Sequence, residues 1–145
     1  MARELIVPCE MDRQIHVLLA DDENDFRFSA AIALRRAGYR VTVAINGLEA
    51  FARVLEAASF GDPVNLLVTD EQMPAMTGGE LVAALRAQGF YLPVVVITAH
   101  RDGSPASTAN PGCVSEFLEK PLSPEDLVAC LARVTADPKT ATRSA

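Results

Sequence analysis

The stretch HVLLADDEND, residues 16–25, passes from aliphatic side chains directly into a cluster of carboxylates. Its apolar part predicts a β-strand over 15–20, and Asp21 and Asp22 follow at the carboxyl end of that strand. Neighbouring carboxylates repel each other, and burying either one is costly unless a cation or hydrogen bonds compensate. The stretch therefore predicts a positively charged partner at this strand end.

Outward from this stretch, short apolar runs alternate with segments of helical periodicity. Strands are predicted over 15–20, 41–45, 64–69, 93–98 and, more weakly, 116–119; helices are predicted over 25–37, 48–58, 80–88 and from Pro124 onward. Runs such as LLV and VVVI are continuous rather than alternating, which is typical of strands covered on both faces by helices. The alternation predicts an α/β domain built as a doubly wound parallel sheet.

Two connections have informative local signals. In SPED, residues 123–126, Ser123 can cap the last helix, Pro124 suits its first position, and Asp126 can complete a capping box. By contrast, HRDGSPASTANPGCVS, residues 100–115, contains two prolines and two glycines. We therefore expect the helix between the fourth and fifth strands to be weak or short.

Composition limits the classes of function. The 145 residues suit one domain, predicted over 14–136, with an extension at 1–13 and a polar tail at 137–145. A net charge of −6 argues against direct nucleic-acid binding. The apolar run at 5–8 is too short for a signal peptide or a membrane span, and the three cysteines lack metal-ligand spacing. These features predict a cytoplasmic protein without a membrane partner.

Polar residues stand at the ends of four predicted strands. They are Asp21 and Asp22, Asp70, Thr98 and Lys120. If the strands are parallel, all five residues meet at one edge of the sheet, where ligands of open α/β sheets bind. Three carboxylates close together need a divalent cation, and an oxygen-only site with room for water or phosphate suits Mg²⁺.

A carboxylate beside Mg²⁺ can act as a nucleophile toward a phosphoryl group and form an acyl phosphate. Asp70 is the predicted nucleophile. Thr98 could donate a hydrogen bond to a phosphate oxygen, and the Lys120 ammonium could pair with another.

The segments LLADDE, LVTDEQMPAMTGGEL, VVVITAH and FLEKPL together resemble the receiver domain of two-component response regulators, over about residues 14 to 135. Each motif alone is common, but four of them at the family's spacing are specific. The resemblance implies a flavodoxin-like sheet of five parallel strands in the order 2-1-3-4-5.

The resemblance also implies a site chemistry. Asp70 would accept a phosphoryl group from a sensor histidine kinase or a histidine phosphotransfer protein. Asp21, Asp22 and Asp70 would hold Mg²⁺ together with the backbone carbonyl of Gln72, and Lys120 corresponds to the family's lysine. The protein would be no enzyme beyond transfer to, and hydrolysis at, its own Asp70.

Thr98 and Phe117 correspond to the hydroxyl and the aromatic residue of the family's switch, which changes the surface presented to a downstream protein partner. Few residues follow the last helix, so we expect output through protein contacts or onward phosphotransfer. The pair Gln72 and His100 is a hypothesis for tuning the lifetime of the phosphorylated state.

Two alternatives remain open at this point. One is an interaction module of the same fold that works without phosphorylation. The other is a phosphatase of the haloacid dehalogenase type, which also uses an aspartate nucleophile. That class normally has a second acid two residues later, and here the position is Gln72.

Overall fold

The structure, a computed structural model, describes residues 14–99 and 111–136, in which strands and helices alternate. The strands are β1 His16–Ala20, β2 Arg40–Ala44, β3 Leu66–Asp70, β4 Val94–Thr98 and β5 Glu116–Glu119. The helices are α1 Asn24–Arg36, α2 Gly47–Ser59, α3 Gly78–Ala87 and α4 Pro124–Ala136, with a 3₁₀ turn at Pro111–Cys113.

All five strands are parallel and form one sheet in the order β2-β1-β3-β4-β5. The predicted doubly wound five-stranded sheet and its strand order are both confirmed. From β1 the chain continues to β2, which pairs with one edge of β1, and then crosses to β3, which pairs with the other edge. The strand order therefore reverses between β1 and β3, which is the position where this class of fold binds ligands.

The core lies on both faces of the sheet. Every residue of β1, β3 and β4 is buried, so the continuous apolar runs do mark strands covered on two sides. Leu18 of β1 packs into the cluster that includes α2 and α3, whereas its neighbours Val17 and Leu19 pack into the cluster of α1 and α4. Two helices on each face thus hold the central strands rigidly.

Two elements begin two residues away from the expected position, whereas the other differences in element boundaries are of one residue. Helix α3 begins at Gly78 rather than Glu80, because Thr77 forms a capping box with Glu80: Thr77 Oγ1 accepts from Glu80 N at 3.1 Å, and Glu80 Oε1 accepts from Thr77 N at 2.9 Å. Strand β3 begins two residues later than expected and extends through Asp70, which is its last residue.

The predicted start of the last helix is confirmed. The Ser123 side chain accepts from Asp126 N and the Asp126 side chain accepts from Ser123 N, both at 3.0 Å. This is the reciprocal pairing of a capping box.

The expected weak helix between β4 and β5 falls largely on residues 100–110, which lie outside the described residues, as do 1–13 and 137–145. The described part of this connection contains the 3₁₀ turn Pro111–Cys113, where the Arg86 guanidinium donates to the Cys113 carbonyl at 2.8 Å. Within 14–99 and 111–136, no helix has both the length and the apolar character needed to span a bilayer.

Candidate metal centre

Three carboxylates meet where β1 and β3 end. Asp21, Asp22 and Asp70 each offer one oxygen, and these oxygens all lie within 4.8 Å of one another. The parallel pairing of β1 with β3 brings the ends of the two strands side by side. Asp21 and Asp70 are 0% and 4% exposed, whereas Asp22 is exposed to solvent. The cluster is therefore buried on one side and open on the other.

Asp21 has one satisfied and one unsatisfied oxygen. Its Oδ1 accepts from Glu23 N at 2.8 Å, but its buried Oδ2 accepts no hydrogen bond. The pKa of Asp21 is raised to about 6: burial and the nearby Asp70 carboxylate raise it, and together they outweigh the Glu23 N–H and the Lys120 ammonium, which lower it. A buried carboxylate oxygen without a donor is costly, and a cation would remove that cost.

Asp70 is held by two groups. Its Oδ1 accepts from Gln72 N at 3.4 Å and its Oδ2 accepts from Lys120 Nζ at 3.2 Å. Burial raises the pKa of Asp70, and the Lys120 ammonium opposes that rise. The remaining lone pairs of this carboxylate leave it able to bind a further cation or to attack an electrophile.

Lys120 follows β5 directly and places its ammonium among acids. Its Nζ also lies 3.7 Å from Asp21 Oδ2 and 3.8 Å from Glu23 Oε1. Burial lowers the pKa of Lys120, but Asp21 and Asp70 outweigh this and raise it above its ordinary value. The side chain is therefore a cation at neutral pH, the positive partner expected from the acidic pair.

The other sequence-predicted residues occupy different positions. Thr98 is buried at the end of β4, and its carbonyl accepts from Lys120 N at 2.8 Å. Gln72 is exposed, two residues beyond Asp70. Phe117 lies within β5, three positions before Lys120, with a ring that is 38% exposed. His100 lies outside the described residues. The structure thus brings together the three aspartates and the lysine, places Thr98 at the same edge, and leaves Phe117 farther along its strand.

Two residues that the sequence did not single out support this edge. Arg27 of α1 donates to the Asp21 carbonyl at 2.6 Å. Glu71, next to Asp70, is 1% exposed and accepts from Gly79 N at 3.0 Å. The sequence signal for this contact was the Gly-Gly pair at 78–79, because glycines allow another group to approach the start of a helix closely. The pair does not identify Glu71 as that group.

The loop after β3 is bent sharply and tightly packed. Ala75 has a φ of +72°, and Met76 N donates to the Pro74 carbonyl at 2.8 Å, which is a γ-turn of the strained kind. A Cβ atom on Gly47, the first residue of α2, would overlap the Met76 carbonyl oxygen and lie 2.7 Å from Met76 Cβ. The start of α2 therefore supports this loop by direct contact.

The donor set fits Mg²⁺. All candidate ligand atoms are carboxylate oxygens, Asp21 has one buried oxygen without a hydrogen-bond donor, and one side of the cluster faces solvent. Mg²⁺ typically uses one or two carboxylates and keeps several waters or substrate oxygens. An open, oxygen-only cluster is the arrangement that such an ion requires.

Known relatives share this architecture. The two-component response regulator ORR41 of rice is 38% identical over 128 residues, covering 83% of this chain and 94% of that protein. The chemotaxis protein CheY4 of Vibrio cholerae is 32% identical, with a TM-score of 0.72, covering 83% of this chain and 98% of that structure. The chain spans only 25% of another relative, the transcriptional regulatory protein DctD of Pseudomonas aeruginosa, at 35% identity.

The family model of the response regulator receiver domain matches residues 17–132, a range that includes the acidic cluster and all of the five strands except His16, the first residue of β1. With its five parallel strands in the order 2-1-3-4-5, the chain belongs to the family of response regulator receiver domains of two-component signal transduction.

Proposed function

We propose that this receiver domain accepts a phosphoryl group on Asp70 from a phosphohistidine of a sensor histidine kinase or a histidine phosphotransfer protein. The observation that carries the proposal is the position of the Asp70 carboxylate, buried and 3.2 Å from the Lys120 ammonium, at the open edge of an acidic cluster. In the transfer, an Asp70 oxygen forms a bond to phosphorus while the bond from phosphorus to the histidine nitrogen breaks. The imidazole keeps that electron pair and takes up a proton.

The metal would be held by Asp21, Asp22, Asp70 and the backbone carbonyl of Gln72. When bound, Mg²⁺ supplies positive charge that offsets the negative oxygens of the phosphoryl group. Lys120 supplies a second positive charge and orients Asp70. Mg²⁺ and Lys120 would offset negative charge from fixed positions in the site. Positioning and electrostatics would therefore provide most of the acceleration of the phosphoryl transfer.

Thr98 and Phe117 would carry the response. The Thr98 hydroxyl would donate to a phosphoryl oxygen, and a shift of the β4 end would change the packing around the Phe117 ring. A partly exposed ring has room for two positions, which suits a shift between two existing packings. The altered surface would bind a downstream protein partner in the cytoplasm, without direct contact to nucleic acid or membrane.

The test is incubation with Mg²⁺ and acetyl phosphate, with the intact mass recorded for the wild type and for Asp70→Asn. We expect one phosphoryl adduct on the wild type and none on Asp70→Asn or without metal. Asp62→Asn is the matched control, because Asp62 is an exposed aspartate paired with Arg40 away from the cluster, and it should be phosphorylated normally.

Two results would contradict the proposal. A folded, Mg²⁺-binding wild type without an adduct would indicate an interaction module that works without phosphorylation. Consumption of acetyl phosphate that continues in Asp70→Asn would indicate a phosphatase or a different acceptor residue.

A further inference from the structure

Glu71 is a buried acid beside the acceptor that the proposed chemistry does not use. Its side chain is almost completely inaccessible, and its carboxylate accepts from Gly79 N at 3.0 Å. Its own amide donates to the Ile97 carbonyl of β4 at 2.8 Å, and its carbonyl accepts from Gly78 N at 3.0 Å. One residue thus connects the end of β3 to both a neighbouring strand and the start of α3.

The first turn of α3 depends on Glu71. The first three amides of a helix have no partner inside it and need acceptors elsewhere. Here the amides of Gly78 and Gly79 donate to the carbonyl and the carboxylate of Glu71, and the amide of Glu80 donates to Thr77 Oγ1. A carboxylate at this end also interacts favourably with the helix dipole.

The contact is too close for any side chain at 78. A Cβ on Gly78 would lie 2.7 Å from the Asp70 carbonyl oxygen, 3.1 Å from Glu71 Cα and 3.2 Å from Glu71 Oε1. The helix start therefore packs directly against the main chain of residues 70 and 71. Movement of this main chain away from α3 would break both Glu71 hydrogen bonds at once.

We propose that Glu71 is a positioning residue for the metal centre, holding the main chain between Asp70 and Gln72 against α3. The inference rests on the proposed function, in which the Gln72 carbonyl is a metal ligand. A main-chain ligand has no rotamers, so its position is set by whatever holds the backbone. Glu71 is the adjacent residue, and its hydrogen bonds to β4 and α3 hold the peptide immediately before the one that carries the Gln72 carbonyl.

The experiment measures the Kd for Mg²⁺ by calorimetry, with the fraction folded followed by circular dichroism. The variants are Glu71→Ala, which removes the side-chain hydrogen bond from Gly79 N and leaves the two main-chain hydrogen bonds of residue 71, and Glu71→Gln, whose amide oxygen can still accept from Gly79 N. Thr77→Ala is the matched control, because it removes the side-chain cap of Glu80 N at the same helix start and leaves the Glu71 side chain unchanged.

We expect Glu71→Ala to raise the Kd by about 10-fold, the lower end of the effect typical of groups that hold metal ligands in place. Glu71→Gln should fall between Glu71→Ala and the wild type. Thr77→Ala should keep the wild-type Kd within about 2-fold even where it lowers the melting temperature, because cap loss costs stability rather than ligand position.

A wild-type Kd in Glu71→Ala, or an equal rise in Thr77→Ala, would overturn the positioning role. If Glu71→Ala does not fold, Glu71→Gln takes its place: a Kd for Mg²⁺ in Glu71→Gln that equals that of the wild type or of Thr77→Ala would overturn the positioning role. Absence of Mg²⁺ binding in the folded wild type would overturn the proposed metal centre itself, a result separate from failure of the Glu71 variants alone.

Discussion

Lys120 Nζ lies 3.2 Å from Asp70 Oδ2 and 3.7 Å from Asp21 Oδ2, so one ammonium faces two buried carboxylates at the carboxyl ends of different strands. We predict that Lys120→Ala slows phosphorylation of Asp70 by acetyl phosphate by about 10²-fold, the effect typical of removing one charge-stabilising donor. The rate of adduct formation by mass spectrometry measures this. Arg133→Ala, at an exposed cation paired with Glu116, should leave the rate unchanged. A near-normal rate in Lys120→Ala would contradict the assignment of this residue.

Asp21→Asn should stabilise the metal-free protein at pH 7. The pKa of Asp21 is raised to about 6 in the folded state, above its ordinary 3.8, so the folded protein disfavours the ionised form. Full ionisation then lowers the free energy of unfolding by up to about 3 kcal/mol, and this cost disappears as the pH falls through 6 toward 4. Urea unfolding with a chelator at pH 7 and pH 5 measures the difference between variant and wild type.

The gain in free energy of unfolding of Asp21→Asn over the metal-free wild type should be large at pH 7 and smaller at pH 5. Added Mg²⁺ should stabilise the wild type more than Asp21→Asn, because the variant lacks one of the three anionic ligands. Asp62→Asn is the control of opposite sign: Arg40 holds the pKa of Asp62 below its ordinary value, so this variant should gain no stability. A metal-free wild type more stable than Asp21→Asn at pH 7 would refute the prediction.

Ala75→Gly should stabilise the protein by about 1 kcal/mol, because a left-handed conformation is strained for alanine and free for glycine. The same substitution at Ala83, an exposed position inside α3, should destabilise by about 1 kcal/mol. Urea unfolding of the two variants gives the comparison. Equal effects of the same sign at both positions would show that the φ of Ala75 is not a source of strain.

Gly47→Ala should destabilise the protein by about 1 to 3 kcal/mol, the range for overpacking, although alanine normally favours a helix. The new Cβ would meet the Met76 main chain and push the loop after Asp70. Urea unfolding measures the loss of stability. A gain of stability in Gly47→Ala would contradict the prediction, because it would mean that the loop at Met76 moves away from the new Cβ without cost.

Much of the fold was predictable because its signals are local. Continuous apolar runs, glycine stops and the Ser123 capping box mark the strands and helices, and parallel strands necessarily place their polar carboxyl ends together. The start of α3 was misplaced because two glycines disfavour a helix by propensity. Their amides are satisfied by Glu71 and their missing side chains allow close packing, and both effects depend on tertiary contacts.

The proximity of the three aspartates and Lys120 was predictable, but the energetics of this cluster were not. The sequence placed Asp21, Asp22, Asp70 and Lys120 at one edge. It could not indicate that one Asp21 oxygen is buried without a donor, because burial depends on the helices that pack around it. For the same reason it could not show that Arg27 fixes the Asp21 carbonyl from α1.

The position of Asp70 on the central strand β3 has a consequence for local unfolding. Its backbone belongs to a strand that pairs with both β1 and β4 and buries every residue. Segments of this kind exchange their amide hydrogens only when the whole domain opens. An acyl phosphate at Asp70 would therefore meet water only through the open side of the acidic cluster, so its lifetime would be set by the side chains at that opening and not by fraying of the sheet beneath it.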